Sequence, residues 1–367
     1  MNRHMRYLAG IAMLILGSQL SVYSSVRINP PTYVCYKLPA PVTIDGIISD
    51  EEWGAIPVVG DFRDIYDDGP APWLRTEARI AHDDAGIYFA AKMEEPNLWA
   101  TFTEHDAPLY QENAFEFFID PSNTTHNYLE YEVNVLGTEW DLFLSKPYRD
   151  APMLVLSNWE FLGMKSKVFA DGTPNDPSDR DRFWSVEIFI PWKAIYQVAE
   201  TRKRKPAEGD QMRINMQRVE WALDIIDGKY VKSVAKGESR PRPNYWLWAS
   251  QGQTGTSHAP EFWGYVQFTE TLAGKTNAVP FVMNPDEEAR SMLRNLYYRQ
   301  KEIFSKRKQY AAALAELRPE EIFGAAGVGK LKLYNTASFY EITYEDGGKL
   351  WRLSWDGMIG VKDKDRD

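Results

Sequence analysis

Three polar residues stand inside apolar, aromatic, strand-like phrases. Glu116 lies in Phe115-Glu116-Phe117-Phe118-Ile119-Asp120-Pro121, and Glu132 and Asn134 lie in Glu130-Tyr131-Glu132-Val133-Asn134. A buried carboxylate or amide is costly without a partner, so such groups are either satisfied within the fold or held for a ligand. Two chemistries fit. A pyranose stacks its apolar face on an aromatic ring while carboxylates and amides take its hydroxyls. Glycosidic-bond hydrolysis needs two carboxyls ~5–9 Å apart, and Glu116 with Glu132 would supply them. Glu132 and Asn134 are two residues apart, hence on one face of a strand, where they either share a site or lie on an open surface. A structural reading pairs Glu116 with Arg218 as a buried charge pair instead.

The elements that must carry these residues are short strands bounded by Gly, Pro, Asp and Asn. They are expected from Tyr33 to Tyr36, Thr76 to Ala81, Gly86 to Met93, Ala114 to Ile119, Tyr128 to Leu136, Trp140 to Leu144, Ser166 to Phe169, Phe183 to Ile190, Gln211 to Trp221 and Trp263 to Phe268. Asp83-Asp84-Ala85-Gly86 reads as a turn, and Trp192 to Tyr196 as a short helix after Pro191. This pattern predicts an all-β fold, an antiparallel β-sandwich over residues 25–275. Trp53, Trp246 and Trp248 are expected in its core, the last two alternatively as a binding platform.

Beyond residue 276 the pattern changes to a long helix and a hairpin. Asn284-Pro285-Asp286-Glu287 is a helix start, with Asn as cap and Pro at the first helical position. Ala289, Leu296, Ile303, Tyr310 and Leu317 recur every seven residues, which predicts one amphipathic helix running to Arg318-Pro319. Its apolar stripe would dock on the sandwich or take a protein partner. Phe339 to Tyr344 and Leu350 to Trp355 flank a turn and predict a β-hairpin.

The net charge of -10 argues against nucleic acid or an anionic lipid surface as partner. One cysteine, Cys35, excludes an internal disulfide, and five histidines leave little for a zinc site. Arg3 and Arg6 precede an apolar run from Leu8 to Leu16, too short to span a bilayer. The run reads as a signal peptide over residues 1–24, implying a periplasmic or extracellular, envelope-associated protein.

Several phrases follow one another in an order and at spacings that resemble a family 9 carbohydrate-binding module, of the version found in exported proteins of gut and environmental Bacteroidetes. They are Ile44-Asp45-Gly46 with Trp53, Leu74 to Met93, Glu112 to Pro121, Asn215 through Trp221 and Asn244 through Phe268. The resemblance covers roughly residues 33–268. It implies a β-sandwich that holds the end of a sugar chain between two rings. The first ring would be Tyr110, with polar contacts from Glu116, Glu132, Asn134 and Gln217. Arg218, beside Gln217, is also a ligand-binding candidate. Two positions depart from the family pattern: Glu132 stands where an Arg is usual, and His258 falls where the second ring, a Trp, belongs. The departures leave open a changed ligand or none.

The resemblance also implies structural calcium (Ca2+), for which Asp120 with Asn123 and the acidic loop of Asp61, Asp64, Asp67 and Asp68 offer oxygens. The expected function is an exported, non-catalytic carbohydrate-binding protein serving polysaccharide recognition and carbohydrate catabolism, its partner an oligo- or polysaccharide. Hydrolysis by Glu116 and Glu132, or an envelope scaffold without sugar, are the alternatives.

Overall fold

The computed structural model describes residues 30–200, 203–275, 278–336 and 338–364; the expected signal peptide lies outside the described residues. Packing divides the chain into a larger unit, Asn29–Lys146 with Leu154–Val282, and a smaller one containing Pro147–Met153 and Met283–Asp367.

The larger unit runs β1 (Thr32–Lys37), α1 (Asp50–Trp53), β2 (Arg63–Asp64), β3 (Thr76–His82), β4 (Gly86–Glu94), β5 (Ala114–Asp120), β6 (Tyr128–Asn134), β7 (Glu139–Leu144), β8 (Val155–Leu156), β9 (Lys165–Asp171), β10 (Phe183–Pro191), α2 (Trp192–Tyr196), β11 (Gln211–Glu220), β12 (Leu223–Ile226), β13 (Lys229–Lys232), β14 (Asn244–Leu247) and β15 (Gly264–Leu272). One hydrogen-bonded path runs β8-β7-β6-β5-β11-β15-β1-β3-β4-β10-β9, with β14 and β2 added beside β11. All pairings are antiparallel except those of β1, which is parallel to both β15 and β3. The sheet is therefore mixed, not purely antiparallel. Both partners follow β1 after long stretches of chain, which makes a parallel pairing accessible where a hairpin could not.

The path folds back on itself as a β-sandwich. Phe89 of β4 stacks on Phe117 of β5 at 4.3 Å between centroids, and Phe117 on Tyr131 of β6 at 5.0 Å. Trp184, Trp246 and Trp248 are buried in the same core. Trp53 is buried in a second, smaller cluster, where Glu187 of β10 receives its indole N–H at 2.7 Å and the amides of Asp45 and Gly46 at 2.9 and 2.8 Å. The opening Asp-Gly phrase and Trp53 thus form one clasp on β10. The Asp83 carboxylate shapes the β3–β4 turn by accepting the Ala85 and Gly86 amides at 2.8 and 2.9 Å. Gly86 has no alternative there: a Cβ would lie 2.2 Å from the Ile190 carbonyl.

The smaller unit begins as its sequence indicates, with Asn284 Oδ1 accepting the Asp286 amide at 2.9 Å. The helix is shorter than the seven-residue stripe implies. α3 (Asp286–Arg307) ends where Lys308 turns left-handed at φ 57°, and a 3-10 turn at Leu314–Leu317 and α4 (Glu320–Val328) follow. A side-chain period cannot report a single left-handed residue that redirects the chain. The hairpin is the middle of a four-stranded meander, β16 (Leu331–Asn335), β17 (Tyr340–Asp346), β18 (Lys349–Ser354) and β19 (Ile359–Asp363). Leu293, Leu296 and Tyr297 of α3 share a core with Ile342, Leu353 and Ile359, so the stripe is covered by the sheet that follows it in sequence. Asp150, fully enclosed, belongs to the same unit, accepting from the Tyr297 hydroxyl at 2.6 Å and pairing with Lys301 at 2.7 Å. No helix among the described residues is long and apolar enough to cross a membrane.

Candidate functional site

Every residue of β5, β6 and β11 is buried, on both faces of the sheet. One face is the apolar core, which also takes Arg218 and Glu220 at the end of β11; the other carries the remaining polar residues. Register decides which of them meet. Gln217 stands opposite Glu116, Glu116 opposite Glu132, and Glu132 opposite Trp140, giving one row across four strands. The neighbouring row is Asn215, Phe118, Glu130 and Leu142. One carboxyl oxygen each from Glu116, Glu130 and Glu132 lies within 4.8 Å of the others.

The row is partly satisfied from within. Gln217 Nε2 donates to Glu116 Oε2 at 2.5 Å, and the Ser257 hydroxyl donates to Gln217 Oε1. Glu116 Oε1 and Glu132 Oε2 are buried without a hydrogen-bond partner. Half-buried rings surround them. Tyr110 and Trp140 lie 6.1 Å apart at 31°, and Tyr245 of β14 is raised in pKa by its burial and by the nearby Glu116 and Glu132. Trp221 donates its indole N–H to the Tyr110 carbonyl at 3.3 Å, and Trp140 donates to the Ser157 carbonyl at 3.0 Å.

Burial dominates the electrostatics of the three carboxyls. It pushes Glu130 up to about 8. Burial first, then the neighbouring carboxyls, raise Glu116 and Glu132 well above the usual carboxylate range. All three are therefore shifted toward the protonated form, which can donate as well as accept hydrogen bonds.

Of the residues singled out in the sequence, Glu116, Glu132, Gln217 and Tyr110 lie together. His258 joins them at the margin. Its Nδ1 lies 3.0 Å from the Tyr128 hydroxyl and its Nε2 4.0 Å from Glu130, while its ring meets Phe118 edge-on. Burial pushes the imidazole down to about 3, so it is neutral. Two expected ligand residues are elsewhere. Asn134 spends its whole amide on the fold: Nδ2 donates to the Phe102 carbonyl at 2.9 Å and to Glu112 at 2.8 Å, and Oδ1 accepts the Leu136 and Thr138 amides at 3.0 Å. Arg218 faces the opposite side of β11 from Gln217, paired with Glu95 at 3.0 Å and Glu220 at 2.8 Å. It therefore neither pairs with Glu116 nor joins the row. Asn134→Ala strands two amides, a carbonyl and a carboxylate, and is expected to lower stability by about 3 kcal/mol, checked by urea unfolding.

Asp120 and Asn123 do not build a cation cradle. The two Asp120 oxygens accept the Ser122 and Thr125 amides at 3.1 and 2.7 Å, and Asn123 Nδ2 donates to the Gln211 carbonyl at 3.0 Å. Calcium asks for about six to eight converging oxygens. In the acidic loop, Asp64 accepts the Tyr66 amide at 3.0 Å, and Asp67 and Asp68 engage Ser250 and Gln253.

Sequence reasoning missed Glu130, Trp140 and Tyr245 as site residues. The period of two through Glu130 and Glu132 would have indicated the first. The two rings needed the strand pairing.

Solved structures similar to the chain include a candidate carbohydrate-binding protein from Bacteroides uniformis, with 18% identity, a TM-score of 0.45, and 65% of this chain and all of that one covered. They also include a family 9 carbohydrate-binding module from Caldicellulosiruptor kristjanssonii. Its complex with cellotriose matches at 18% identity and TM-score 0.40, covering 69% of this chain and all of that one. Its glucose complex matches at 17% and 0.40, covering 68% and all of that chain. No curated protein matches the chain significantly. The sequence profile described as carbohydrate family 9 binding domain-like matches residues 44–256, more than half of the sequence and the whole of the row from Tyr110 to Gln217, and the chain belongs to this family.

Proposed function

We propose that the chain is an exported, non-catalytic carbohydrate-binding protein that holds a glycan for polysaccharide breakdown, and that the row Gln217, Glu116, Glu132 with the rings of Tyr110, Trp140 and Tyr245 is its sugar site. The observation that carries this reading is the pair of unpartnered oxygens, Glu116 Oε1 and Glu132 Oε2, beneath half-buried rings. Sugar hydroxyls would satisfy them while the rings stack on the apolar face. Because these oxygens are buried, the ligand must displace a rim side chain to reach them. Binding modules in this family from Caldicellulosiruptor kristjanssonii carry cellotriose and glucose, which makes β-glucans the first ligands to try. Hydrolysis is less well supported. Burial raises both carboxyls well above the usual carboxylate range, which disfavours the ionised form that a retaining or inverting reaction needs from one of them. Export rests on Arg3, Arg6 and the run from Leu8 to Leu16, and N-terminal sequencing of the mature protein from the periplasm or medium checks it.

The test is calorimetric titration and glycan-array binding with cello-oligosaccharides and a wider glycan panel. Tyr110→Ala with Trp140→Ala is expected to weaken binding by roughly tenfold per ring, with an unchanged circular dichroism spectrum. A folded wild-type chain that binds no glycan would instead favour the scaffold reading.

A further inference from the structure

A second polar cluster lies on the other side of β7 from Trp140. His105, Asp106, Asp141 and Glu160 come from three separate stretches of sequence, yet one donor atom of each lies within 4.8 Å of the rest. They converge on one ring nitrogen. His105 Nε2 is 3.0 Å from Glu160 Oε1, 3.5 Å from Asp106 Oδ1 and 3.9 Å from Asp141 Oδ1. Donor atoms around a tetrahedral zinc-like centre, each about 2.0–2.2 Å from the ion, stand about 3.3–3.6 Å from one another. The observed spacings bracket that value.

A second observation points to a ligand. Asp141 is 1% exposed, and its Oδ1 has no hydrogen-bond partner; Asp106 Oδ1 is also buried without one. The other oxygen of Asp141 accepts the Phe161 amide at 2.7 Å, which fixes the carboxylate with its free oxygen toward His105. Among the described residues no Lys or Arg pairs with any of the three carboxylates, so their charge is met by His105 alone. Beside the cluster is an open hollow of about 250 Å³ lined by Thr103, His105, Leu136, Gly137, Thr138 and Glu139. It gives an entry path and room for water on the ion.

We propose that His105, Asp106, Asp141 and Glu160 bind a divalent transition-metal ion of the zinc class. An imidazole among carboxylates favours such an ion over calcium, which prefers an all-oxygen shell. The ion would replace the Nε2 proton of His105 and satisfy both orphaned aspartate oxygens. It would also tie the loop at residues 105–106 and the segment at Glu160 to β7. This site is independent of the sugar reading.

The full chain, stripped with chelator and shown folded by circular dichroism, is titrated with Zn2+, with Co2+ as a spectroscopic probe and Ca2+ as a competitor. Expected are one Zn2+ per chain, intense visible bands for the Co2+ form, and no displacement by Ca2+. His105→Asn should weaken Zn2+ binding by about a hundredfold or more and abolish the bands. Glu160→Gln, at an exposed position, should weaken binding without disturbing the fold and covers the case in which a buried-site variant misfolds. No stoichiometric Zn2+ or Co2+ binding by the folded chain would overturn the proposal. So would binding that survives both substitutions, or binding of Ca2+ in preference.

Discussion

Arg218→Met is expected to cost about 3–5 kcal/mol of folding stability, because it leaves two buried glutamates without their counter-charge. Arg218 is 1% exposed, and its guanidinium donates to Glu220 through Nε at 3.0 Å and to Glu95 through Nη2 at 3.0 Å. Asn113 closes the cluster, giving one amide hydrogen to Glu95 at 3.2 Å and one to Glu220 at 3.4 Å. The guanidinium also lies 5.2 Å from the Trp246 ring. Burial and the neighbouring Glu220 raise Glu95 to about 8, burial raises Glu220 as well, and Arg218 acts against both shifts. Removing the arginine removes the positive charge that lowers both glutamates. Arg218→Lys should fall between wild type and Arg218→Met, since an ammonium cannot fork to two carboxyls from one plane. Urea unfolding at pH 7 measures both. A Met variant within about 1 kcal/mol of wild type would contradict the cost assigned to breaking the cluster.

The second large effect is on the pH dependence of stability. In the fold, burial holds the Glu130 pKa at about 8 against an ordinary 4.5. Between those two values the folded chain keeps a proton that the unfolded chain releases. Stability from this group is therefore full below about pH 4.5 and is lost as pH rises through about 8. At about 1.4 kcal/mol per pKa unit, the group alone accounts for a loss of a few kcal/mol. Glu116 and Glu132 are shifted in the same direction and add to it. Glu130→Gln, which copies the protonated acid, should flatten the fall between pH 5 and 8 and stabilise the protein at the upper end. Thermal unfolding across that range reads it. A midpoint that climbs over the interval would show that the three carboxyls are ionised in the fold. The same protons matter for sugar binding, because neutral carboxyls can give hydrogen bonds to hydroxyls that carboxylates can only accept.

The sequence by itself determined most of the strands, the buried aromatic core and the start of the C-terminal helix. Strand positions follow from alternation and turn residues, which act over a few neighbours. Glu116 and Glu132 were recognisable because a polar group in an apolar strand is anomalous at the level of a single phrase, whereas Gln217 came only from the family resemblance. Tertiary structure decided which of them meet. Because side chains alternate along a strand, a shift of one residue in register moves every group to the other face. Thus Gln217 faces Glu116, while Arg218, its neighbour, lies in the opposite layer with Glu95 and Glu220. Asn134 looked like a ligand residue until the turn at Leu136 to Thr138 and the Phe102 carbonyl absorbed its amide. The left-handed Lys308 that ends α3, the parallel pairing of β1 and the convergence of His105, Asp106, Asp141 and Glu160 depend on one backbone angle or on contacts between distant segments. Local pattern carries no record of either, since the free energy that selects them comes from burial the isolated segment does not have.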